Sequence, residues 1–220
     1  MIKAVLFDLD GTFADTAPDL AAALNQVLQE EGKKPLAFEA IRPVVSHGGI
    51  ALIRLGFHFS EQEINEKNSE FERLRLRLLA IYLNDICTLT TVFEGIEELL
   101  IKLEDNNIAW GIVTNKPAWL TDPLMEKMGY TERAAAIISG DTTIERKPHP
   151  EPLFYACQQI NCQPSECLYV GDAERDIIAG NAAGMTTLTA LFGYIEANDT
   201  PELWGADAMI EHPGEIENFL

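Results

Sequence analysis

The sequence predicts an α/β protein: a doubly wound parallel sheet, interrupted after its first strand by an all-helical insertion. Three observations carry that prediction. Short uninterrupted apolar runs recur along the chain, helical patterns fill the intervals between them, and one long segment near the start has helical pattern alone.

The first run is Ala4-Val5-Leu6-Phe7, which ends in Asp-x-Asp-Gly. A strand covered by helices on both faces of a parallel sheet reads this way, because neither face needs polar residues. Runs at Ile108 to Val113, Ala134 to Ile138, Cys167 to Val170 and Met185 to Leu191 predict four more strands. Between them, Ile96, Leu99, Leu100 and Leu103 recur at helical spacing, and a second helix runs from about Pro117 to a stop at Gly129. From Asp15 to Thr91 the alternation breaks, and three helices are predicted: Pro18 to Glu30, Ile41 to Leu55 and Ser60 to Asn84. Leu74-Arg75-Leu76-Arg77-Leu78 alternates like an exposed strand. Phe71, Leu74, Leu78 and Ile81 nevertheless form a helical stripe in a window free of Gly and Pro, so helix is predicted there. The domains expected are a core of residues 1–15 and 92–220 and a helical insertion of residues 16–91.

The 220 residues carry 16 basic and 35 acidic side chains, a net charge of −19. Such a chain lacks the basic surface that displaces counterions from a duplex, so nucleic acid is not an expected partner. Arg73, Arg75 and Arg77 read as a solvated helix face. The longest apolar run, Leu78 to Leu83, is too short to span a bilayer, and no basic segment followed by an apolar stretch lies behind Met1. A cytoplasmic protein with no membrane partner is expected, as monomer or homodimer. Cys157, Cys162 and Cys167 stand five residues apart without a C-x-x-C; with Cys87 they read as reduced, buried small hydrophobes with no metal or redox role. Trp110, Trp119 and Trp204 read as core or packing residues, and His58, His149 and His212 as surface or packing residues.

Four segments stand at or just beyond predicted strand ends: Asp8-Leu9-Asp10-Gly11-Thr12, Thr114-Asn115, Lys147-Pro148 and Gly171-Asp172-Ala173-Glu174-Arg175-Asp176. Singly each has an ordinary reading as turn, loop or helix N-terminus. Together, in order, they stand where a doubly wound sheet places its ligands. The set resembles the haloacid dehalogenase superfamily, in particular its phosphatases with a helical cap inserted after the first motif. The resemblance spans essentially the whole chain and implies a Rossmann-like core with a cap domain. It is similar above all to the phosphoglycolate phosphatases and the related bacterial phosphatases of N-acetylmuramic acid 6-phosphate. Asp15-Thr16-Ala17-Pro18-Asp19, Val113-Thr114-Asn115-Lys116-Pro117, Lys147-Pro148-His149-Pro150-Glu151-Pro152, Phe192-Gly193-Tyr194 and Trp204-Gly205-Ala206-Asp207 carry that likeness. Phe13 stands where Leu is common, and Val92-Phe93-Glu94-Gly95 lacks a proline often found at the second cap hinge.

Chemistry assigns each residue a role. A phosphate ester repels nucleophiles, so its site must neutralise charge and hold the groups in line. Asp8 supplies a carboxylate nucleophile that forms an aspartyl-phosphate, and Asp10 protonates the leaving alcohol and then deprotonates water. Asp172, from another strand end, completes an all-oxygen site suited to Mg²⁺. Thr114 and Asn115 hydrogen-bond the phosphoryl oxygens, helped by the helix N-terminus near Pro117, and Lys147 places a positive charge between Asp8 and the phosphate. The resemblance implies in addition that Asp10 binds the metal through its backbone carbonyl. Asp176 would then orient Lys147 or the metal's waters. In related capped phosphatases the loop matching Arg42 to Gly49 faces the site and selects the leaving group, which makes Arg42 and His47 candidate substrate ligands. The expected activity is Mg²⁺-dependent hydrolysis of a small phosphorylated metabolite. A phosphomutase would share all four motifs, and a non-catalytic phospholigand-binding protein is the reading from a different class.

Overall fold

The computed structural model describes residues 1–65 and 69–220. Two compact units divide the chain: Met1–Asp15 with Thr91–Leu220, and Thr16–Thr90.

The first unit is built on strands β1 (Ala4–Phe7), β2 (Ala14–Asp15), β3 (Thr91–Val92), β4 (Ala109–Val113), β5 (Ala136–Ile138), β6 (Cys167–Gly171), β7 (Thr186–Ala190) and β8 (Ala208–Ile210). Six form one sheet in the order β5-β4-β1-β6-β7-β8, every neighbour parallel. The doubly wound α/β sheet expected from the sequence is therefore the fold of this unit. All four residues of β1 are buried, as its unbroken apolar run requires. Phe7 pairs with Ile112 of β4 on one side and Val170 of β6 on the other. That register brings Asp8, Thr114 and Asp172 out of three adjacent strands at one edge, where the strand order reverses about β1. Ile96, Leu99, Leu100 and Leu103 are all buried on the helix Ile96–Asp105, and the helix Ala118–Met128 ends on Gly129 in the left-handed conformation (φ 83°).

Three short strands escape sequence reading. β8 is a three-residue edge strand with Met209 exposed, and β2 and β3 form a separate antiparallel pair of two residues each. Phe13, where Leu is common, stacks on Trp110 with centroids 5.5 Å apart and meets Tyr130 edge-on at 5.2 Å. The larger ring thus has partners of its own size. Trp119 corrects an expectation: it is 47% exposed, because its helix buries Leu120, Thr121, Leu124 and Met125 on the opposite side.

The second unit contains helices Ala17–Glu30, Phe38–Ile41, Gly48–Phe57, Glu61–Asn65 and Ser69–Asn84. The predicted helix Ser60 to Asn84 crosses residues 66–68, which lie outside the described residues. Phe71, Leu74, Leu78 and Ile81 are buried and Leu76 is exposed, as the helical stripe requires. The predicted helix Ile41 to Leu55 is broken instead. Arg42–His47 forms a 3₁₀ turn with Pro43 in its first turn, and the chain restarts at Gly48 with φ 73°. Proline offers no N–H for a continuing helix, and the positive φ interrupts helical backbone. The arginine face is ion-paired: Arg73 with Glu31 at 2.7 Å, Arg77 with Glu30 at 2.6 Å and Arg75 with Glu72 at 2.9 Å. Among the described residues no helix is long and apolar enough to cross a membrane.

Asp19, buried in the first turn of Ala17–Glu30, fastens the far end of this unit. Its carboxylate accepts the backbone N–H groups of Thr88 (3.1 Å), Leu89 (3.0 Å) and Thr90 (2.9 Å), and the Thr90 hydroxyl at 2.7 Å. Asp19→Ala strands these donors and is expected to lower stability by about 3 kcal/mol, read as a shift in urea midpoint. Asp19→Asn keeps one acceptor oxygen and should lose less; equal losses would discard this account.

Candidate active site

Lys147 lies in the loop between β5 and the helix Glu151–Ile160, and its side chain is 1% exposed. Four oxygens surround its Nζ: Asp8 Oδ1 at 2.9 Å, Asp176 Oδ1 at 2.7 Å, the Tyr169 hydroxyl at 2.7 Å and the Val113 carbonyl at 2.8 Å. Asn115 holds the backbone of the same lysine. Its Nδ2 donates to the Lys147 carbonyl at 2.9 Å, and its Oδ1 accepts the Lys147 N–H at 3.1 Å. The Asn115 side chain, expected on phosphoryl oxygens, is thus engaged in placing the ammonium group.

Asp8 follows β1 directly. Its own N–H donates to Val170 O (2.9 Å), its Oδ1 accepts Leu9 N–H (2.7 Å), and Arg175 stands 3.9 Å from its Oδ2. Asp172 follows β6, and its Oδ2 accepts the Tyr194 N–H at 2.8 Å while Oδ1 lies 3.4 Å from the Thr12 hydroxyl. Asp8, Asp172 and Asp176 each direct a carboxylate oxygen into one cluster in which all lie within 4.8 Å of one another. The backbone makes room for it. A Cβ on Gly11 (φ 90°) would collide with the Asp172 carboxylate, and one on Gly171 would collide with Asp176.

Asp10 is not part of that cluster; its Oδ1 pairs with Lys116 Nζ at 2.8 Å. Thr114 is buried, and its hydroxyl accepts the Lys116 N–H at 3.1 Å. The helix N-terminus expected to assist already uses its Ala118 N–H on Asp141 Oδ1 at 2.8 Å. Arg42 and His47 belong to the helical unit, on the 3₁₀ turn Arg42–His47. Sequence reasoning assigned no role to Lys116, Tyr169 or Arg175. Lys116 and Arg175 stand inside segments already singled out; Tyr169 points inward from mid-strand, which no sequence signal marks.

Electrostatically the cluster is unbalanced. Three buried carboxylates (Asp8, Asp172, Asp176) stand with two cations, Lys147 and Arg175. Burial, and next the charges of Asp8 and Asp176, push Asp172 up to about 7. A buried all-oxygen set with surplus negative charge fits a hard divalent cation such as Mg²⁺, which relieves that repulsion when bound.

The family description haloacid dehalogenase-like hydrolase matches residues 5–190. The chain is 40% identical over 219 residues to the N-acetylmuramic acid 6-phosphate phosphatase of Pseudomonas putida, covering 100% of this chain and 96% of that protein. It is 41% identical over 215 residues to the phosphoglycolate phosphatase of Xanthomonas campestris, covering 97% and 94%. Among solved structures, a predicted phosphoglycolate phosphatase from Haemophilus somnus superposes with a TM-score of 0.86 at 24% identity, over 99% of this chain and 97% of the other. The chain belongs to the haloacid dehalogenase-like hydrolases. Within them it is a phosphatase, a phosphoric monoester hydrolase.

Because the Asp172 carboxyl is raised from 3.8 to about 7, the folded state holds its proton where the unfolded chain has released it. The resulting stability is present below pH ~4 and is lost as pH climbs from there through about 7. Metal-free protein in chelator is therefore expected to melt at lower temperature as pH rises across that window, and Asp172→Asn to show a flatter profile. Parallel profiles for the two proteins would refute the assignment.

Proposed function

We propose that this phosphatase hydrolyses a small phosphomonoester that also bears a carboxylate, by way of an aspartyl-phosphate and with Mg²⁺ as cofactor. The observation that carries the mechanism is the cluster of Asp8, Asp172 and Asp176 at the strand ends, two of them paired with Lys147, with Asp10 outside it.

Asp8 is the nucleophile. One of its oxygens attacks phosphorus, the ester P–O bond breaks, and the leaving oxygen takes a proton from Asp10. Asp10 then accepts a proton from a water whose oxygen attacks the aspartyl-phosphate, releasing inorganic phosphate and restoring Asp8. Its Oδ1 pairs with Lys116 Nζ at 2.8 Å, which fixes where the carboxyl group sits. Lys147 keeps Asp8 oriented and faces the charge that builds on the phosphoryl oxygens, with Thr114 as a further donor. Asp176 and Asn115 position Lys147. Asp8, Asp172 and the Asp10 carbonyl would hold Mg²⁺, which supplies neutralising charge beside the phosphate.

Relatives named for two substrates match with nearly equal identity, 41% and 40%. Phosphoglycolate and N-acetylmuramic acid 6-phosphate differ in size, yet both carry a carboxylate in addition to the phosphate. Phosphoglycolate is the first choice, and the sugar phosphate the second. Arg42 and His47 are the groups proposed to receive that carboxylate.

Phosphate release should be measured on 2-phosphoglycolate, N-acetylmuramic acid 6-phosphate and several neutral sugar phosphates, with Mg²⁺ and with chelator. Activity is expected only with metal; Asp8→Asn should abolish it, and Asp10→Asn should reduce it by about 10²–10⁴-fold. No release by folded, metal-loaded protein would overturn the hydrolase mechanism. Arg42→Ala is expected to raise KM about tenfold for the carboxylate-bearing esters, the loss of roughly one charge-assisted hydrogen bond, with little change for the neutral sugar phosphates. A uniform change across the panel would remove Arg42 from substrate selection.

A further inference from the structure

Away from the carboxylate cluster, the core unit gathers three of the chain's four cysteines. Cys157 lies in the last turn of the helix Glu151–Ile160, Cys162 in the loop that follows, and Cys167 is the first residue of β6. Sequence spacing gives no sign of a site, because none of the pairs has a ligand-like separation. The fold brings them together by a specific route. Asn161 takes the left-handed conformation (φ 59°) and turns the chain back, so that Cys162 N–H reaches the Cys157 carbonyl at 3.1 Å. The 3₁₀ turn Pro164–Glu166 then leads into β6, fastened by Gln163 N–H to Glu166 Oε2 at 3.0 Å and by the Lys3–Glu166 ion pair at 2.7 Å.

The three sulfurs converge. Cys162 Sγ and Cys167 Sγ are 3.2 Å apart, Cys157 Sγ and Cys167 Sγ are 3.7 Å apart, and all three lie within 4.8 Å of one another. Sulfurs each about 2.3 Å from one central ion would stand about 4.0 Å apart, so the triangle needs only small adjustments to close on a metal. Cys157 and Cys167 are buried and Cys162 is half-buried, which leaves one ligand at the entrance.

We propose that Cys157, Cys162 and Cys167 form a three-sulfur binding site for a soft, thiophilic cation, cuprous ion in first place. Thiolate selects soft ions, whereas the carboxylate cluster selects a hard one, so the two sites do not compete. Closed zinc sites take four protein ligands and iron–sulfur clusters take four cysteines, while the group gathered among the described residues has three. On binding, each thiol loses its proton to solvent as its sulfur bonds to the ion, and copper stays cuprous throughout. Cys167 opens the strand that Asp172 follows, five residues on, which sets the two sites roughly 16 Å apart along the chain.

The test offers cuprous ion, as its bicinchoninate complex under nitrogen, to the reduced full-length protein. One equivalent is expected to move from chelator to protein, with X-ray absorption reporting three sulfur neighbours. Cys162→Ser, the least buried of the three, should weaken retention by more than the roughly 10–100-fold that losing an outer-shell partner costs, and Cys157→Ser likewise. Cys87→Ser should bind as the wild type does. Circular dichroism and unchanged Mg²⁺-dependent phosphate release by Cys162→Ser show that this variant is folded. The proposal is overturned if the wild type leaves the ion with the chelator, if folded Cys162→Ser retains it undiminished, or if only two sulfurs are seen.

Discussion

An ammonium group enclosed by oxygens and almost sealed from water is the constraint on which the catalytic end of this protein depends. A buried charge is tolerable only when its partners are fixed in number and geometry, and Lys147 has four within hydrogen-bond reach. Those partners come from β1, β4, β6 and the helix after β6, so the parallel register of three strands and the seating of one helix must all be right together. Asn115 completes the arrangement by gripping the Lys147 backbone from the end of β4. Gly11 and Gly171 complete it by leaving space that any side chain would fill.

A net charge of −19 opposes an anionic substrate at long range, and the charge at the site is set locally. Lys116, Lys147 and Arg175 stand at the carboxylates Asp10 and Asp8, and the surplus negative charge of the cluster is what a divalent cation neutralises. The acidity elsewhere is a property of the solvated surface, where arginines such as Arg73 and Arg77 are already paired with glutamates. Exposed pairs of this kind contribute little to stability.

Residues that touch no reacting atom account for much of the site's shape. Tyr194 donates its N–H to Asp172 at 2.8 Å and its hydroxyl to Asp15 at 2.7 Å, which ties the tail Phe192-Gly193-Tyr194 to both the cluster and the end of β2. Phe13, one residue before β2, stacks on Trp110 of β4. At the other end of β6 the three cysteine sulfurs meet, so a single strand leads to the carboxylates of Asp172 and Asp176 beyond one end and begins on the Cys167 sulfur at the other.

By itself the sequence determined the class of fold and the identity of the core chemical groups. A strand buried on both faces must be apolar throughout, so β1, β4, β6 and β7 were legible to within a residue or two, as was the helical stripe Phe71, Leu74, Leu78 and Ile81. Asp8, Lys147, Asp172 and Asp176, which the structure brings together, stand in segments that the sequence already singles out by residue type and order. What the tertiary structure decided is pairing. Periodicity does not mark a two- or three-residue strand such as β2, β3 or β8, and it did not reveal that Pro43 and Gly48 split one predicted helix. Nor does spacing along the chain say that Asn115 holds Lys147, that Lys116 holds Asp10, or that three unremarkable cysteines share one space. Local pattern records which face a residue turns inward; the partner it meets there can lie 179 positions away, as Asp15 does from Tyr194, brought into place by the sheet.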